Sequence, residues 1–156
     1  MKKIMMLTLC IVFSLAIISD SSIAQDTVKK GTKEYIADLS SNDEAVVVAA
    51  EEWIADNKEK SALSRLQELL RSDNRVKVRL YAAIALGETA DESAAESLNN
   101  ALLNDPSADV RYTALLGIAR IGSKDSYDAI QKARESEQDP FIKDLIQKLE
   151  DKLKVK

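Results

Sequence analysis

The side chains that most often carry chemistry at neutral pH are missing from nearly all of this chain. It holds no histidine, and its one cysteine, Cys10, lies inside an apolar run near the start. Without histidine there is no Ser–His or Cys–His pair to activate a nucleophile. His/Cys zinc ligation is equally excluded. Carboxylates are plentiful, but their spacing marks no site. Glu51 and Glu52 are neighbours and point about 100° apart on a helix, which reads as a solvated face. Asp125 and Asp128 read as a helix start, since no Asp-x-Asp-x-Asp-Gly loop surrounds them. Nothing singles out a carboxylate pair for glycoside chemistry. Only four glycines are present, and none forms a phosphate-cradling loop. A carboxylate-only enzyme, or an accessory subunit of one, stays as a lesser alternative. No cofactor and no metal is implied.

Two sets of polar residues are placed regularly enough to ask what positions them. Arg79 and Arg111 stand 32 residues apart. So do the amides Gln67, Asn99 and Gln131. The same offset superimposes Val78-Arg79-Leu80-Tyr81-Ala82 on Val110-Arg111-Tyr112-Thr113-Ala114. It also superimposes Leu66 on Leu98 and Ile130, and Asp73 on Asp105. A period found in two kinds of segment is an internal repeat.

Each period divides into two halves with apolar residues at three- and four-residue spacing, the mark of helices with one buried face. First helices are predicted near 43–57, 75–89 and 106–121, second helices near 61–72, 93–104 and 124–136, and a last helix near 140–153. Asp105-Pro106 and Asp139-Pro140 read as caps followed by proline in the first turn. Ser93 and Glu96 have capping-box spacing. Gly122 ends the third first-helix. Val46-Val47-Val48 is β-branched but falls inside a helical period. Trp53 is assigned to extra space at the N-terminal end, and Tyr127 to the core.

The fullest copy runs Asp105, Pro106, Val110, Arg111, Ala114, Gly117, Ile118, Ala119, Ile121, Gly122. The second has Asp73, Val78, Arg79, Ala82, Ala85, Leu86 and Gly87, with Asn74 in the proline's place. These residues resemble HEAT repeats, in particular the short type of the phycobilisome lyases. The resemblance implies an all-α fold: a short right-handed α-solenoid of about three helix pairs plus a C-terminal capping helix. Its units are 41–72, 73–104 and 105–138, with a half-unit at 139–156. Val47 replaces the arginine in the first copy, and Ile142-Lys143 stand in the Val-Arg places of the last. Degenerate ends suit capping repeats. The resemblance also implies that Arg79 and Arg111 meet acids between repeats, with Asp73, Asp105 and Asp109 as candidates. HEAT-like deoxyhypusine hydroxylases ligate iron through His-Glu pairs, which this chain cannot supply.

Repeat solenoids bind along their concave face, which the resemblance assigns to the second helices. Their outward positions read Ser64/Glu96/Asp128, Gln67/Asn99/Gln131, Glu68/Asn100/Lys132 and Arg71/Leu103/Glu135. The amide row can donate to and accept from an extended peptide backbone. A protein or peptide partner is therefore expected there. Self-association through the final half-unit is the alternative.

Lys2 and Lys3, the apolar run Ile4 to Ile18, and Ser22-Ile23-Ala24 read as a signal peptide over 1–24, cleaved before Gln25. Residues 25–40 are expected to be partly disordered, with Lys33 to Leu39 a short extra helix. The chain would then be periplasmic or secreted, with no stable membrane insertion after cleavage. Cys10 follows Leu9 in mid-run and is no lipidation site, so cleavage leaves a domain without disulfides. A net charge of −4 with no basic run argues against nucleic acid.

Overall fold

Helices that each bury one stripe must share a core with their neighbours, and the repeat decides how. The computed structural model describes residues 30–154. A short helix α1 (Thr32–Asp38) leads into α2 (Glu44–Asn57), α3 (Leu63–Ser72), α4 (Val76–Thr89), α5 (Ala95–Asn104), α6 (Ala108–Ile121), α7 (Tyr127–Ser136) and α8 (Pro140–Lys154). There is no strand among the described residues. The first helices α2, α4 and α6 are each 14 residues long and start 32 residues apart. The second helices α3, α5 and α7 are each 10 residues long on the same period. The assignment of 1–24 to a signal peptide lies outside the described residues.

One core runs through the stack. Leu66, Leu86, Leu98, Leu102, Leu115, Ile118, Ile142 and Ile146 are almost completely buried in it. The valine run stays helical because Val47 and Val48 are buried; packing outweighs the modest helix penalty of β-branching. At the N-terminal end Tyr35 of α1 stacks on Trp53, with ring centroids 4.3 Å apart, and Leu39 is buried. The expected extra helix is therefore present, and Trp53 does fill the end of the stack.

The first helices pack more closely against one another than the second helices do. Two glycines permit it. A Cβ on Gly87 would lie 2.8 Å from the Gly117 Cα, and one on Gly117 would lie 3.1 Å from Leu98 Cδ1.

Helix starts differ from expectation in two ways. Ser93 and Glu96 form no capping box. Ser93 N–H instead donates to Asp91 Oδ1 at 3.1 Å, and a single 3-10 turn, Glu92–Ala94, precedes α5. Glu59 and Ser123 do the same before α3 and α7. The cap sits two residues upstream because the chain enters by a tighter turn. Pro106 is also outside its helix: α6 begins at Ala108, and the Asp105 carboxylate accepts from Ser107 N–H at 2.9 Å. Asp139 behaves as expected, accepting from Phe141 and Ile142 N–H ahead of a helix that begins at Pro140.

Candidate protein-binding surface

The two arginines are structural. Arg79 Nε and Nη2 donate to the two Asp105 oxygens at 2.8 and 3.1 Å, and Nη1 donates to the Asp73 carbonyl at 2.9 Å. Arg111 repeats this with Glu137, at 2.8 and 3.0 Å, and with the Asp105 carbonyl at 3.0 Å. Glu137 stands 32 residues after Asp105, so each arginine clamps the acid that closes its own repeat. Such forked pairs combine charge with fixed geometry. Glu137 also accepts from Gln138 and Asp139 N–H. Arg111 first, and then these amides, hold its carboxyl down at about 2. Of the expected acids Asp73, Asp105 and Asp109, only Asp105 gives its carboxylate to one of these arginines; the Asp73 carboxylate pairs with Arg75 instead, and Glu137 was not expected, because an Asp-to-Glu change hides the repeat.

The amide row also faces inward in part. Gln67 Nε2 donates to the Ser93 carbonyl at 2.8 Å, and Asn99 Nδ2 donates to the Asp125 carbonyl at 3.5 Å, both across 26 residues. Gln131 Nε2 donates to Glu150 of α8. All three amides are half-buried. Their N–H groups join successive repeats, so the row is engaged within the chain and is not an open ladder for a peptide backbone. The spacing that suggested a site is the spacing of the stack itself.

The rest of the stripe is surface. Ser64, Glu68 and Arg71 of α3, Glu96 and Asn100 of α5, and Asp128, Lys132 and Glu135 of α7 are exposed, and Leu103 is half-buried. Glu68 is paired with Arg65 at 2.7 Å. Asn100 Oδ1 accepts from Asn104 at 2.8 Å. Arg71 and Asn100 meet in a groove of about 270 Å³ that is also lined by Leu70, Ala101 and the Arg79–Asp105 clamp.

The other layer has a different character. Tyr112 and Leu116, one turn apart on α6, are 39% and 44% exposed, and Phe141 at the start of α8 is 77% exposed. Leu80, Tyr81 and Ile84 of α4 are half-buried beside them. Sequence reasoning missed this face, although outward positions on the first helices occupied by Tyr, Leu and Phe were its signal. Tyr127, assigned to the core, is 55% exposed at the first turn of α7; its ring is too large for the place that the buried Ala95 fills in α5. Among the described residues no group of three or more acidic, His or Cys side chains is placed to hold a metal ion. No described helix is long and apolar enough to cross a membrane.

Residues 63–150 match the family model of HEAT repeats. The chain belongs to the HEAT-repeat family. Among solved structures, these HEAT repeats are similar to a chain of the complex of CpcE and CpcF of phycocyanin lyase from Nostoc sp. PCC7120. The TM-score is 0.64 and the identity 24%, covering 69% of this chain and 43% of that one. The chain thus spans less than half the length of the structure it matches. No curated protein matches it.

Proposed function

We propose that this chain is an exported protein-binding adaptor or scaffold with no chemistry of its own. The observation that carries the reading is the apolar exposure of Tyr112, Leu116 and Phe141 on the neighbouring helices α6 and α8. Large apolar groups exposed on adjacent helices favour a protein contact, and tyrosine is among the residues that anchor such contacts. The exposed second-helix stripe, Ser64, Glu68, Arg71, Glu96, Asn100, Asp128, Lys132 and Glu135, is proposed as the polar part of that contact or as a second one. The similar lyase structure is itself a complex of two proteins, which supports a protein partner and identifies none. Absence of His and Cys beyond residue 24 supports the non-catalytic part, as the apolar N-terminal run supports export.

Crosslinking in the native envelope and secreted fractions tests the reading. One dominant partner is expected, with recovery reduced at least tenfold by Leu116→Asp with Phe141→Asp. N-terminal sequencing of the same material should start at Gln25; a start at Met1 would remove export. A partner unaffected by those changes but lost on Glu68→Lys with Lys132→Glu would move the contact to the second helices.

A second reading is self-association through α8. Phe141, Leu145 and Leu149 recur at four-residue spacing, with Phe141 exposed and the other two half-buried at the end of the stack. Sedimentation that gives a monomer mass at every concentration would end it.

A further inference from the structure

Between α2 and α4 lies a cleft of about 430 Å³, lined by Glu52, Asp56 and Lys58 on one side and by Tyr81, Ile84 and Glu88 on the other. Tyr81 and Ile84 give it a half-buried apolar floor. Glu52 and Asp56 stand one turn apart on α2, exposed, and neither is bonded or ion-paired among the described residues. Glu88 is engaged by Arg120 of α6, its neighbour across the row. Leu116 stands at the place on α6 that Ile84 holds on α4, so the apolar floor continues beyond the cleft.

We propose that this cleft seats a lysine or arginine side chain of a partner protein, carried on a segment whose neighbouring residues are apolar. The inference rests on the protein-binding reading and names the chemistry of the partner. A long cationic side chain has an apolar stem and a charged head. The stem fits the Tyr81–Ile84 floor, and the head meets Glu52 and Asp56, which form no ion pair among the described residues. Adjacent apolar residues then continue onto Leu116 and Tyr112. Tyr81 already draws one ammonium: Lys77 Nζ lies 5.8 Å from its ring centroid, as expected of a cation near an aromatic face. Lys58 on the rim works against a cation and sets the specificity: a single basic residue is accommodated, and a run of them is repelled.

The test uses the full chain and four labelled twelve-residue peptides of matched length, read by fluorescence anisotropy. One peptide places a single lysine among leucines and serines; the others replace that lysine by glutamate, by serine, or replace the leucines by serine. Only the first is expected to bind, and more weakly as salt rises. Glu52→Lys with Asp56→Lys should cut its affinity at least tenfold. Lys58→Glu should raise it several-fold. Neither change removes a side-chain hydrogen bond or ion pair among the described residues, so circular dichroism and melting should match the parent chain. Equal binding of the glutamate peptide, no effect of the double reversal, or no binding at all would overturn the proposal. So would a dimer of this chain broken by Ile84→Glu, which would assign the cleft to a second copy. The two readings fail separately. A crosslinked cellular partner retained by the double-reversed chain sinks the cleft and leaves protein binding standing. Loss of that partner together with the peptide supports both.

Discussion

Glu51 is a carboxyl group whose chemistry contradicts its place. Read from the sequence as part of a solvated face with Glu52, it is instead fully buried, because the inward stripe of α2 passes through its position, and neither carboxyl oxygen has a hydrogen-bond partner among the described residues. Equivalent positions in the next two repeats hold Ala83 and Leu115, both core residues. Burial first, and then the nearby Asp73, push its carboxyl up to about 9, with Arg75 opposing. In the unfolded chain it would ionise near 4.5. Between those values the folded state holds one more proton than the unfolded one, so this group's contribution to stability falls as pH rises through that window. Glu51→Leu should therefore raise stability by about 1–3 kcal/mol at neutral pH, since it removes a buried polar group without a partner. Its advantage over the parent should grow from pH 5 to pH 8 in urea titrations; a constant difference would show that Glu51 is not buried as a neutral acid. Glu137 has the opposite sign. Its lowered carboxyl contributes stability above about pH 4.5, and that contribution is lost as pH falls toward 2. The clamps give a second prediction. Arg79→Met leaves the buried Asp105 carboxylate without its cation and should cost about 3–5 kcal/mol, whereas adding Asp105→Asn should recover much of it. Equal losses in the single and double variants, measured by denaturant midpoint, would mean that the pair is not coupled.

The elements were legible where the pattern depends on burial and obscure where it depends on a single backbone turn. The 32-residue period, the helix pairs and the Gly122 stop follow from apolar spacing and from glycine's freedom at positive φ, and Gly122 does sit at φ 69°. The upstream caps at Glu59, Asp91 and Ser123 were not legible, because three different residue types do one job and only the backbone shows the 3-10 turn. The amide row misled for a related reason: a repeat places equal residues at equal joints, and a joint looks like a site until its donors are followed. The outward apolar residues of α4 and α6 were treated one at a time, and only adjacent helices make them a face. The place of Gly122 also gives an element-scale prediction. Lys58 and Ala90 occupy it after α2 and α4, at φ 50° and 48°. A left-handed residue other than glycine costs about 1–2 kcal/mol. Ala90→Gly should therefore stabilise the fold by about 1 kcal/mol, even though glycine loses more freedom on folding. Thermal melting would rise by a few degrees. A lower midpoint would show that Ala90 does not keep this conformation.

At the scale of the whole molecule, a repeat stack is a row of units held by nearest-neighbour joints, so its stability need not be uniform. The joints differ in one respect that can be measured. The second and third repeats each close with an Arg clamp, Arg79–Asp105 and Arg111–Glu137. The first has no such clamp: Val47 stands in the arginine's place, and Asp73 is held by Arg75 of the following helix at 2.7 Å. One turn after Val47 comes Glu51, buried and unpaired. Both departures weaken the same joint, and the aromatic stack of Tyr35 on Trp53 seals only its outer side. Native-state hydrogen exchange should show α2 opening at a lower free energy than α4 and α6, which exchange only with global unfolding. The difference should also respond to pH in a way no other joint does. Lowering the pH from 8 to 5 favours the neutral form of Glu51 and stays above the window in which Glu137 takes up its proton, so protection of α2, corrected for intrinsic exchange, should rise relative to α4. Glu51→Leu should remove that pH response and bring α2 toward the protection of its neighbours. If α2 and α4 exchange together at both pH values, the stack unfolds as one unit and the missing clamp at Val47 has no consequence for its cooperativity.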